Sequence, residues 1–178
     1  MALQHDDGSV WLFDCGEGSQ IQLQKSRIKP GRINKIFITH LHGDHVFGLP
    51  GLLCTLGNGG EDGSDKSVDI YGPLGIRRLI ATNLELSRSP LPYKYNVHEI
   101  VPAACQYPDD WAAWPVNLEW DGLKKLEQEA GRIERDEESG EWHLFDESNF
   151  RVTAGPILHR IPSFAFVIAG KDQPGRIT

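Results

Sequence analysis

The run Lys35-Ile36-Phe37-Ile38-Thr39 leads without a break into His40-Leu41-His42-Gly43-Asp44-His45. A short β-prone run that stops at a Gly-containing turn reads as a buried strand opening onto a loop, so the fold must deliver four potential metal ligands at one strand end. At this composition, three His and one Asp in that spacing arise by chance roughly one time in a thousand. Alternation along the extended segment turns His40 and His42 to one side, so they can share one ion while Asp44 and His45 face a neighbouring one. Imidazole and carboxylate donors without a thiolate suit Zn2+ in an open site, with Mn2+ or Fe2+ as further candidates, and argue against a closed structural zinc site. A solvated His-rich loop is the competing reading.

The pattern of strand, turn and helix recurs along the chain. Val10 to Phe13 is β-prone and ends at the polar turn Asp14-Cys15-Gly16-Glu17-Gly18, followed by two helical turns from Ser19, a candidate N-cap, to Ser26. Asp14 thus sits at a strand tip, either as an ordinary turn former or as a carboxylate that orients an imidazole. Phe47 to Leu56 reads as a buried helix and Gly57 to Asp65 as an exposed loop. A strand at Val68–Tyr71 and a helix from Leu74 to Leu86 follow, with Pro73 suited to a helix start. Tyr93–Val101 alternates like a strand, and 102–120 fits no period. The stretch Asp121–Glu147 carries ten acidic and four basic residues, and is expected to be a solvated surface excursion with a helix at 122–130 or a hairpin turning at Ser139-Gly140. Phe150–Ala154 and Ser163–Ala169 are β-prone and flank His159. That histidine lies between apolar residues, so on its own it reads as a packed core histidine as readily as a ligand.

With 178 residues, 39% of them hydrophobic, the chain can bury a sizeable core, and no run of 18 apolar residues suggests a membrane span. The first fifteen residues have neither a basic start nor an apolar core of the kind that marks a secretion signal. A net charge of −7 argues weakly against a nucleic-acid partner, but the acidic stretch accounts for −6 of it. Lys25, Arg27, Lys29, Arg32 and Lys35 lie in a segment without acids, so a basic surface can coexist with the acidic total. Cys15, Cys54 and Cys105 are odd in number and widely spaced, and are expected to be reduced thiols filling core positions. His5, His98 and His143 match no ligand spacing and are expected at surface or packing positions.

The residues from Trp11 to Leu53, containing FDCGEGSQ and KIFITHLHGDHVFGLPGLL, together with the later IYGP and HRIPSFAF, resemble the metallo-β-lactamase superfamily. Within it they resemble ribonuclease Z, the tRNA 3′-processing endonucleases, in its short form. The resemblance implies an α/β fold, an αββα sandwich, of which this chain spans roughly the N-terminal half. It implies that His40, His42 and His159 bind one zinc, that Asp44 and His45 bind a second, and that Asp44 is the catalytic base that prepares a water. It also implies pre-tRNA as substrate, cleavage that leaves a 3′ hydroxyl, a homodimer without membrane association, and a cytoplasmic or nuclear location.

Three departures from the family pattern bear on activity. The family begins with an earlier strand, supplies a bridging Asp and a final His from a C-terminal half that this sequence does not contain, and usually has Gly where Ala165 stands. Residues 1–178 are therefore expected to form a single partial domain, with 170–178 the start of a substrate-binding arm. The chain itself is expected to hold one zinc firmly and to cleave pre-tRNA poorly. Two alternatives are a small-substrate hydrolase of the same superfamily and a catalytically inactive form that binds zinc or pairs with a full-length subunit.

Overall fold

The computed structural model describes residues 1–57, 66–113, 115–117, 127, 131–147 and 149–171. Its first sheet contains β1 (Ala2–Gln4), β2 (Val10–Phe13), β3 (Ile33–Phe37), β4 (Ser67–Pro73), β5 (Lys94–Ile100) and β6 (Arg132–Ile133), arranged in that same order. The β1–β2 pair is antiparallel and every later pair is parallel. Parallel neighbours need crossovers, and from β2 through β5 these are supplied by α1 (Ser19–Lys25), α2 (Gly43–Val46) with α3 (Leu49–Leu56), and α4 (Ile76–Leu86). The second sheet is the antiparallel meander β7 (Trp142–Asp146), β8 (Phe150–Ile157) and β9 (Ser163–Gly170).

The helices cover one face of the first sheet. Leu49, Leu52, Leu53 and Leu56 recur at helical spacing on α3 and are all buried against Ile36, Ile38, Ile70 and Val97. Each such side chain contributes about 1.5–3 kcal/mol of burial. The opposite face carries Trp11, Phe13, Phe37 and Tyr71, which pack on Val152, Phe145 and Phe166 of the second sheet. The result is a layer of helices on a sheet on a second sheet.

Several local expectations change in the folded chain. The N-cap of α1 is Gly18, at φ 73°, rather than Ser19. A left-handed residue turns the chain sharply into the helix at a position where a side chain is disfavoured. The helix expected from Phe47 begins at Leu49 as α3, and an unexpected short helix, α2, precedes it, so the Asp44-His45 pair is itself helical. The Gly57–Asp65 loop and the 122–130 helix lie largely outside the described residues, as does nearly all of 170–178.

The acidic stretch is not simply a solvated excursion. Its described C-terminal part forms β7, where Trp142 is fully buried, T-shaped against Phe164, and donates from Nε1 to the Val101 carbonyl at 2.8 Å. A register shift between His143 and Phe145 lets both Leu144 and Phe145 pack inward while His143 and Asp146 stay exposed. The acidic residues that flank β7 mask this short apolar segment in the composition. The chain does turn at Ser139-Gly140, with Gly140 at φ 74°, but β6 and β7 flank that turn in different sheets.

Lys35 also leaves the expected basic surface. It is buried between the sheets, 2.6 Å from Glu147 and 3.8 Å from Asp69, with its ammonium 5.1 Å from the Phe145 ring centre. Lys25, Arg27, Lys29 and Arg32 are exposed. Cys15 is buried, and burial pushes its thiol up to about 11, so it stays protonated. Cys105 is exposed, contrary to expectation, because the short turn Ala104–Gln106 turns Gln106 inward instead, where it donates to the Ser163 carbonyl.

Candidate metal centre

The site lies at the C-terminal end of β3, where the chain leaves the sheet. Two backbone hydrogen bonds brace the turn after β2 against the turn that carries the ligands: Cys15 N donates to the His45 carbonyl at 2.7 Å and Gly48 N to the Cys15 carbonyl at 2.9 Å. The two turns touch so closely that a Cβ on Gly16 would stand 1.8 Å from the Asp44 carbonyl oxygen. That contact, more than turn geometry, is why glycine is required at position 16.

His159 arrives from the loop between β8 and β9. A backbone bond from Phe164 N to the Thr39 carbonyl, 2.9 Å, ties the start of β9 to the residue before His40. The ring centres of His40, His42 and His159 then lie 4.8–5.0 Å apart, and His159 Nε2 is 3.2 Å from His42 Nδ1. His40 also belongs to a second group with Asp44 and His45, and within each group the potential ligand atoms lie within 4.8 Å of one another. His45 Nε2 is 3.5 Å from Asp44 Oδ2. The structure therefore brings together all five residues singled out from the sequence. It differs from the expected division in placing His40 in both groups.

These residues fit a divalent cation. Two nitrogens bound tetrahedrally at 2.0–2.1 Å stand about 3.3 Å apart, which matches the 3.2 Å between His42 and His159. Burial, and after it the neighbouring His45, His42 and His159, push the His40 pKa down to about 4. At neutral pH His40 is thus a neutral ring with a free lone pair, the form that ligates. Asp44, with its side chain 79% exposed, stays accessible to water.

Asp14 is the residue whose role the sequence left open. It has φ 58°, a left-handed conformation that Asp tolerates better than most residues, and this turns its carboxylate beneath the ligand loop. There Oδ2 accepts from His45 Nδ1 at 2.8 Å and Oδ1 from Thr39 N at 2.8 Å. Because a carboxylate only accepts, His45 donates to Asp14 from Nδ1, which leaves Nε2 as the ring nitrogen on the Asp44 side. The remaining histidines do other work: His5 packs on Trp11 with ring centres 4.3 Å apart, His98 stacks on Tyr71 at 4.4 Å, and His143 lies on the surface beside Asp146.

Residues 1–60 match the sequence profile of the metallo-beta-lactamase superfamily. The chain is 46% identical over 172 residues to the human zinc phosphodiesterase ELAC protein 1, covering 96% of this chain and 47% of that protein. The crystal structure of the human short-form tRNase Z superposes on it with a TM-score of 0.78 at 45% identity, covering 96% of this chain and 56% of the other. The first third of the chain thus carries the sequence pattern of the metallo-beta-lactamase superfamily, in a fold shared with the human short-form tRNase Z. The chain's likeness extends to bacteria, with 38% identity over 175 residues to ribonuclease BN of Proteus mirabilis, covering 98% of this chain and 44% of that protein. The chain spans about half the length of the curated relatives it matches. Among the described residues no helix is long and apolar enough to cross a membrane.

Proposed function

We propose that this chain carries the metal-binding part of a zinc-dependent phosphodiesterase that matures the 3′ ends of tRNA. The observation that carries the reading is the convergence of His40, His42 and His159 on one point, beside Asp44 and His45, in a chain 46% identical to a protein named zinc phosphodiesterase. His40, His42 and His159 hold one zinc, and Asp44 and His45 contribute to a second. When bound, such ions lower the pKa of a coordinated water and neutralise charge on the phosphoryl oxygens. The chain's own part is to place donors and to move one proton. Asp44 is exposed to solvent and held next to His45, so an Asp44 carboxylate oxygen accepts the proton of the attacking water.

In this reading the substrate is pre-tRNA, and the complete enzyme is a homodimer working in the cytoplasm or nucleus. The 178-residue chain holds one ion firmly, because His40, His42 and His159 offer three imidazoles to a single point. The other group offers an exposed carboxylate and His45 and has to share His40. Elemental analysis of the purified chain, paired with cleavage of a pre-tRNA at a single site, tests both parts. One zinc per chain and weak, site-specific cleavage are expected. Absence of metal would overturn the reading, and two tightly held ions with full turnover would overturn the account of this chain.

A further inference from the structure

Thr39 occupies a position that the metal-binding loop does not explain by itself. Its hydroxyl lies 3.0 and 3.1 Å from the two carboxylate oxygens of Asp14 and 2.9 Å from Nδ1 of His40. Asp14 can only accept, and a threonine hydroxyl has a single proton to give. With that proton directed at Asp14, the hydroxyl oxygen must accept from His40, which places the ring proton on Nδ1 and the lone pair on Nε2. The same carboxylate fixes His45 directly, through Oδ2.

We infer that the Thr39 hydroxyl is a positioning group. It carries the orientation imposed by Asp14 to His40, so one carboxylate sets the tautomer of a ligand in each of the two groups. Without that bond His40 is free to hold its proton on Nε2, where it blocks ligation, and binding must first restore the other tautomer. The inference rests on the reading of this cluster as a metal centre. Thr39 also has backbone ties, from its N to Asp14 and from Phe164 N to its carbonyl, and these survive side-chain replacement. The hydroxyl can therefore be tested separately from the fold.

The test titrates the purified chain with Co2+, reading the visible d–d absorption and the dissociation constant from competition with a chromophoric chelator. Thr39→Val, which keeps the shape and removes the hydroxyl, is expected to weaken binding about 10- to 100-fold and to change the spectrum. Thr39→Ser, which keeps the hydroxyl and drops the methyl, should stay close to wild type. In an Asp14→Asn background Thr39→Val should add little, since the hydroxyl acts through that carboxylate. If Thr39→Val fails to fold, the nearly isosteric pair Thr39→Ser and Thr39→Cys poses the same question. A Val variant that binds like wild type, or a Ser variant as weak as Val, overturns the role of Thr39 alone. A wild-type chain that binds no Co2+ overturns the metal-centre reading and this role with it.

Discussion

His45 and His159 each complete a group that contains His40, but they reach it by different routes. His45 lies in the same turn as His40 and is held by neighbours close in space: Asp14 on its ring and Cys15 on its carbonyl. His159 comes from the second sheet, and its position depends on β8 and β9 lying correctly on the first sheet through Trp142, Phe164 and the bond to Thr39. One group is assembled by a braced turn, the other by the docking of two sheets. A defect in sheet docking should therefore spare the first group and cost the second.

The most severe way to break this comparison is His40→Ala, which removes the ligand common to both groups. Metal affinity should fall by more than about 100-fold, beyond the usual cost of losing a residue behind a ligand, and metal content measured by elemental analysis should approach zero. Trp142→Ala separates the routes. Loss of a fully buried Trp costs about 3–5 kcal/mol, a fall of roughly 10 °C in thermal melting. In whatever fraction remains folded, a further Asp44→Asn exchange should then change metal binding more than it does in wild type.

Gly16→Ala strikes the other route. Its methyl group would collide with the Asp44 carbonyl and push on the braced turn, at about 1–3 kcal/mol. Melting should drop by several degrees, and adding back His159-side contacts would not help. The mildest probe is pH. In chelator-treated protein His40 titrates at about 4, below the 6.5 of an unfolded histidine. The unfolded chain thus takes up the proton first, and stability conferred by neutral His40 is complete above about pH 6.5 and declines as pH falls toward 4. Melting temperatures between pH 4.5 and 7 should show this slope in the wild type and lose it in His40→Ala.

Sequence and structure agree best where the information is local. The grouping of His40, His42, Asp44 and His45 was legible because they share one strand end, β2, β3 and β4 because short β-prone runs end at Gly-containing turns, and β5 because its residues alternate. What was not legible depends on pairings across the chain. Nothing in the composition of an acidic stretch shows that Trp142 is a core anchor, because the acidic residues before and after β7 dominate the count. Lys35 counts as a surface cation until Glu147, more than a hundred residues later, lies against it. The hydroxyl of Thr39 would have been found only by asking what holds His40 in the tautomer that ligates. His159 needed a family resemblance, since an isolated histidine between apolar residues has no local signature.

The order of strands in the first sheet has a consequence for how the molecule is made. Each strand from β2 to β6 is hydrogen-bonded to the one before it in the chain, so its partner already exists when it leaves the ribosome. His40, Asp44, His45 and the Asp14 beneath them are all synthesised before β4 begins, whereas His159 follows only after β8. The nascent chain therefore displays His40, Asp44 and His45 long before His159 is made, and the meeting of three imidazoles becomes possible only once β8 has been synthesised and the second sheet can dock.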